Sequence, residues 1–210
     1  MSFGYILEII STYSGLLPVA AFIYNFRRLD RLMKIIGVFF VVSALVDILL
    51  NQLINWGIKN NMPFIHVFVI INIIFFCAIY YKAFSVAFAK KLTLILCGLA
   101  LAITLFFLRH IQEYPTEANT ASSIAFILLS LVYFYQLLNR QEFVHIEKQG
   151  LFWFNAAVLF YFSINIFVVM LIDRIPVPER AQYFFIQNIT NIIANLLFSI
   201  ALLCRPQKIT

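Results

Sequence analysis

Seven apolar runs, separated by short polar stretches, take up nearly all of the 210 residues. A helix that crosses hydrocarbon needs about 20 mostly apolar residues, because its backbone must satisfy its hydrogen bonds internally. The pattern therefore predicts an all-α polytopic membrane protein, a single domain of seven transmembrane helices. The predicted spans are residues 4–26, 33–57, 63–84, 92–108, 119–138, 151–172 and 183–204. Connections this short make sequence neighbours antiparallel. One of them, Asp173 to Arg180, holds Pro176 and Pro178, which fix φ and cannot continue a helix. This predicts a stiff exit from the sixth span that helps shape an outer vestibule.

Composition strengthens the membrane reading: 63% of residues are hydrophobic and 11% charged, against about 25% charged in soluble domains. The first span carries Glu8 and has no basic residue before Arg27, so it lacks the charged leader of a cleavable signal peptide and is expected to stay as a helix. The basic cluster Arg27, Arg28, Arg31 and Lys34 follows that span. By the positive-inside rule the cluster is cytoplasmic, which predicts the N-terminus outside and the C-terminus inside. Carried along the chain, this topology puts Lys82, Lys90, Lys91, Arg140, Lys148, Arg205 and Lys208 on the cytoplasmic side as well. Only Lys59, Arg109, Arg174 and Arg180 then fall outside. Topology and anionic inner-leaflet lipid account for the net charge of +6, with no nucleic-acid partner implied. The expected location is the cell inner membrane. Cys77, Cys97 and Cys204 sit in three different spans without CxxC spacing, so they read as small buried hydrophobes.

Candidate chemistry lies in the polar residues inside the spans. An ionisable side chain at mid-bilayer costs roughly 2.5–3.5 kcal/mol on insertion scales, so a retained one marks a site. Asp47 is the prime case, in the series Ser43, Asp47, Asn51 and Asn55, whose spacing of four keeps one helix face expected to turn inward. The seventh span adds Gln187, Asn188, Asn191 and Asn195; the third adds His66 and Asn72; the sixth adds Tyr161 and Asn165. The first contributes Glu8, Ser11, Thr12 and Gly15. Ordered by depth, Asp47, Asn72, Asn165 and Asn191 fall near the midplane, with Glu8, Asn51, His66, Gln187 and Asn188 above them. That order predicts a polar pocket open to the outside. The competing reading makes the asparagines interhelical hydrogen-bonding groups, worth about 0.6 kcal/mol each on average, and it is preferred for Asn155 and Asn195. His145 reads as part of a solvated cytoplasmic loop, and Trp56 and Trp153 as interfacial anchors.

Several chemistries lack their groups. The seventh span has no lysine for a retinal Schiff base, and neither HExxH nor GxSxG occurs. No metal or cofactor is implied. A hydrolase acting on lipid through Glu8, Asp47 and His66 stays as an alternative. A second alternative rests on a weak repeat, in which Ile70, Asn72, Ile73 and Ile74 match Ile189, Asn191, Ile192 and Ile193. A true repeat would give two three-helix halves around a linker helix, the plan of some small-solute carriers. Only the first span, with Gly15 and Pro18, is interrupted near its midpoint.

Phe152-Trp153-Phe154-Asn155 with Leu159-Phe160-Tyr161-Phe162-Ser163, then Asn188, Asn191-Ile192-Ile193, Asn195 and Ala201-Leu202-Leu203-Cys204, and Tyr80-Tyr81-Lys82-Ala83-Phe84 closing the third span, resemble a group of uncharacterised small bacterial seven-helix integral membrane proteins. The resemblance implies a link with bacterial two-component signalling and no established activity. Members of that group carry an acidic residue near the middle of the third span, where this chain has Asn72, so any role of that acid is lost here or moved to Asp47. The combined expectation is a non-enzymatic sensory or regulatory module. Its outward pocket binds a small polar ligand or ion, and a cytoplasmic or membrane signalling partner reads its occupancy.

Overall fold

The computed structural model describes residues 3–58, 60–139, 146–172 and 180–204, and every regular element among them is helical. The elements are α1 (Phe3–Ser14), α2 (Leu16–Asn25), α3 (Arg31–Asn55), α4 (Met62–Ala83), α5 (Ala87–Phe107), α6 (Thr116–Leu138), α7 (Gly150–Ile172) and α8 (Arg180–Leu203). Together α1 and α2 make one span, so seven helical segments are long and apolar enough to cross a membrane. The loop with Pro176 and Pro178 and the loop residue His145 lie outside the described residues.

Local chemistry explains where these helices begin and break. The first span was expected as one helix and is instead two, parted at Gly15. Pro18 has no N–H for the Ser14 carbonyl four residues back, and its ring crowds that carbonyl. Asp30 starts α3 as an N-cap, its Oδ1 accepting from the Met33 N–H at 2.7 Å. At the other end of α3, Gly57 takes φ +83° and the Ile58 N–H reaches back to the Leu53 carbonyl at 3.1 Å, closing the helix in a Schellman motif. Helix α5 begins at Ala87, five residues before the predicted start. Lys90 and Lys91 depress hydropathy there without disturbing a helical backbone.

Going round the bundle, α2 packs on α3, α3 on α4, α4 on α5, α5 on α6, α6 on α7 and α7 on α8, and α8 closes the ring against α1 and α2. We call the end of the bundle holding the start of α1 the N-terminal side and the end holding the close of α8 the C-terminal side. On the C-terminal side the ring is latched: the buried Asn25 amide donates to the Leu202 carbonyl at 2.9 Å and the Cys204 carbonyl at 3.4 Å, satisfying the last turn of α8. On the N-terminal side α1 packs on α8 while α3 packs on α4, and the far half of α3 stands largely exposed, with Leu45, Ile48 and Leu49 facing outward.

Lipid is as apolar as leucine, so helices inside a bilayer associate through packing and hydrogen bonds rather than through burial from water. Phe76 of α4 is the packing hub. It stacks on Phe126 at 4.1 Å between centroids and meets Phe39 at 5.4 Å, Phe162 at 5.6 Å and Phe154 at 5.9 Å, thereby joining α3, α4, α6 and α7. One turn away, the Tyr80 hydroxyl donates to Asn155 Oδ1 at 2.9 Å, and Ser130 Oγ donates to the Asn155 carbonyl at 2.9 Å. All three residues are fully buried. Asn155 therefore ties α4, α6 and α7 together.

Two outcomes test this packing in detergent or lipid discs. A side chain at Gly150 would meet the Ala201 carbonyl, a backbone atom that cannot turn aside, whereas Gly98 faces open space. Gly150→Val should lower the melting temperature by several degrees, and Gly98→Ala should leave it level or raise it slightly, since Ala gains up to about 1 kcal/mol of helix propensity. Asn155→Leu should cost up to about 1.7 kcal/mol. Adding Tyr80→Phe to that variant should recover part of the loss, because it removes the hydroxyl left without an acceptor.

Candidate functional site

Between the Phe76 hub and the N-terminal side lies a cavity of about 240 Å³, to which α3, α4, α7 and α8 each present one face. Helix α8 gives Gln187, Asn191, Asn195 and Phe198, spaced by four, four and three residues so that their side chains share a stripe. Helix α4 gives Val69, Asn72 and Phe76, helix α7 gives Tyr161 and Asn165, and helix α3 gives Phe39, Phe40 and Ser43. Asn119 in the first turn of α6 and Tyr114 in the preceding loop complete the wall near the N-terminal side.

The floor is aromatic. Phe40 lies 4.7 Å from Phe198 and 5.2 Å from Phe39, Phe39 meets Phe76, and Phe76 meets Phe162. These rings belong to the packing hub and close the cavity toward the C-terminal side. Polar groups therefore occupy its upper wall, from mid-depth to the N-terminal surface.

The amides of the wall divide into two sets. Asn191 Nδ2 donates to Ser11 Oγ at 3.1 Å, Asn195 Nδ2 donates to Ser14 Oγ at 2.9 Å, and Asn195 Nδ2 also lies 3.4 Å from Asn191 Oδ1. Ser14 Oγ in turn donates to the Ser11 carbonyl at 2.6 Å. These two amides spend their donors on α1 and pin it to α8. Asn72 Oδ1 and Asn165 Oδ1 are shielded from solvent and accept no hydrogen bond within the protein. A buried acceptor left this way costs about 1–3 kcal/mol, so two around one cavity are a feature that needs an explanation.

Of the residues singled out from sequence, Asn72, Asn165, Gln187 and Asn191 line the cavity. Asn188 is half-buried beside Gln187 and turned off the lining stripe. The face of α3 that was expected to turn inward does so only at Ser43. Asp47, Asn51 and Asn55 are exposed, because beyond Ser43 the helix parts from α1 and keeps α4 as its neighbour. Asp47 sits one turn beyond Ser43 and is not among the residues that line the cavity. Glu8 is exposed. His66 is buried, and its Nε2 lies 3.1 Å from the Glu113 carbonyl, tying α4 to the loop before α6. No hydrogen bond or ion pair among the described residues joins Glu8, Asp47 and His66, the trio that the hydrolase alternative requires. No group of three His, Cys, Asp or Glu able to hold a metal occurs among them either.

Sequence reasoning passed over Tyr114, Asn119 and the aromatic floor. Asn119 opens a buried small and polar stripe on α6 that continues through Ser122, Ser123 and Ser130, a pattern visible in the sequence. The floor had no such signal, since nothing distinguishes five phenylalanines among 24. No protein-family model, curated protein or solved structure matches the chain.

Proposed function

We propose that the protein is a membrane sensory module, without enzymatic activity of its own, whose cavity binds a small polar ligand. A signalling partner reads the occupied state. The observation that carries this reading is a cavity of about 240 Å³ whose wall brings together Asn72, Asn165, Gln187 and Asn191 from three helices above packed aromatic rings. A closed floor favours binding that ends at mid-depth over passage across the membrane. The positive-inside assignment places the mouth outside the cell and the basic cluster Arg27, Arg28, Arg31 and Lys34 inside. Ligand binding then reaches the partner by favouring one helix arrangement over another, with the shift limited by the ligand's differential affinity for the two.

One observation favours the facilitator alternative: Asn72 and Asn191, which correspond in the weak repeat, both line the cavity. Flux of a bound solute in proteoliposomes separates the two readings, because a sensor retains the solute on one side.

The test is native mass spectrometry of the protein purified in lipid discs. A small molecule in stoichiometric amount should accompany the wild type and be lost from Ser43→Phe, which fills the cavity from its wall while the protein keeps its melting temperature. Absence of any such molecule from the wild type, or its undiminished retention by Ser43→Phe, would sink the pocket reading.

A further inference from the structure

On the outer face of the bundle, away from the cavity, a groove of about 610 Å³ runs between α4 and α5. We infer that it holds one anionic phospholipid, with an acyl chain lying between the two helices and the phosphate among Lys82, Lys90 and Lys91. The α4 wall runs from Ile73 past Ala78 to Tyr81 and Lys82, and the α5 wall includes Leu94 and Gly98. Small residues make the hollow. A side chain at Gly98 would meet nothing within 4 Å, and Ala78 is exposed, so neither helix fills the space between them.

The length of the groove matches an acyl chain. Ile73 lies at the middle of α4 and Lys82 in its last turn, on the C-terminal side. Nine residues separate them, about 13 Å at the helical rise, and half of the hydrocarbon core is about 15 Å thick. A chain that enters at the membrane surface therefore reaches the inner end of the groove near the middle of the bilayer. Below Tyr81 the walls are aliphatic side chains and thiols, which suit hydrocarbon and offer little to a polar solute.

The headgroup follows from the charge at the surface end. Lys82 lines the groove itself. Lys90 Nζ stands 5.4 Å from the centre of the Tyr81 ring, which brings it from the first turn of α5 to the groove wall. Lys91 precedes Leu94 by three residues and so shares its helix face. Neither α4 nor α5 contains an Asp or Glu, so the two helices supply no counter-charge. Helix α5 also begins at this end, and its N-cap Val86 offers no side-chain acceptor to the first-turn N–H groups, which adds the positive end of the helix dipole. A phosphate complements all of these. Basic pockets between spanning helices on the cytoplasmic side are seats for anionic headgroups, and the positive-inside assignment places these lysines there. Because the charged end and the apolar groove are continuous through Tyr81 and Lys82, the occupant carries both a phosphate and a chain. A zwitterionic headgroup brings a cation of its own and gains less.

The experiment is native mass spectrometry of the full chain in detergent, titrated with phosphatidylglycerol or with phosphatidylcholine of the same chains. The first phosphatidylglycerol should bind at least about tenfold more tightly than the first phosphatidylcholine. Lys82→Gln and Lys90→Gln should each weaken that phosphatidylglycerol by about fivefold and leave phosphatidylcholine unchanged. Arg27→Gln combined with Arg28→Gln removes two exposed charges elsewhere on the same side of the bundle and should change neither lipid. Gly98→Leu fills the groove from its wall and should lose the tight first site while the melting temperature in lipid-free detergent is kept. Equal affinity for the two lipids, a loss in the arginine variant as large as in the lysine variants, or full retention by Gly98→Leu would overturn the lipid site. The cavity between α3, α4, α7 and α8 is untouched by these variants and is judged separately, by the molecule that Ser43→Phe should lose.

Discussion

Inside a bilayer, helices gain nothing by hiding leucine from lipid, and that constraint decides what can hold this bundle together. The chain answers with aromatic interlock and a few well-placed hydrogen bonds. Phe76 brings rings from four helices into one cluster, and the Tyr80–Asn155–Ser130 set beside it fixes the same helices by polar contacts. Each aromatic pair is worth about 0.5–1.5 kcal/mol beyond area alone. The interactions concentrate at mid-depth and toward the C-terminal side, where Asn25 fastens the first span to the last.

The cavity is the counterpart of that concentration. Where the aromatic packing ends, the walls turn polar and the helices separate, so one set of phenylalanines serves as both core and floor. The amides above them divide according to neighbour. Those facing α1 find serine hydroxyls, while on α4 and α7 Asn72 and Asn165 line the cavity with their oxygens enclosed and without a donor.

Hydropathy alone carried most of the architecture. All seven spans were legible, Pro18 marked the place where the first one breaks, and Asn155 read correctly as a tie between helices. The start of α5 was misplaced because Lys90 and Lys91 lower the hydropathy of residues that still form a helix. The convergence of Asn72, Asn165, Gln187 and Asn191 followed from depth, which sequence gives well for a spanning helix. Rotation about the helix axis is given poorly. The face bearing Asp47 and Asn51 had no partner as far as α1, and a spacing of four residues says which side chains stand together without saying what stands opposite. Interchangeable phenylalanines hid the floor for the same reason.

Helix α3 is held closely near one end. The Gly37 backbone lies directly against the Phe22 ring, Phe39 and Phe40 enter the aromatic cluster, and the residues beyond Ser43 are largely free of neighbours other than α4. Met33 and Ile36, on the far side of Gly37, are buried in the core as well, so α3 is anchored along its first ten residues rather than at one point. At 1.5 Å of rise per residue, Asp47 stands about 10 Å beyond Phe40, where that anchored stretch ends. The half of α3 beyond Ser43 is therefore the part of the helix that the bundle holds least, and it adjoins the cavity wall at Ser43.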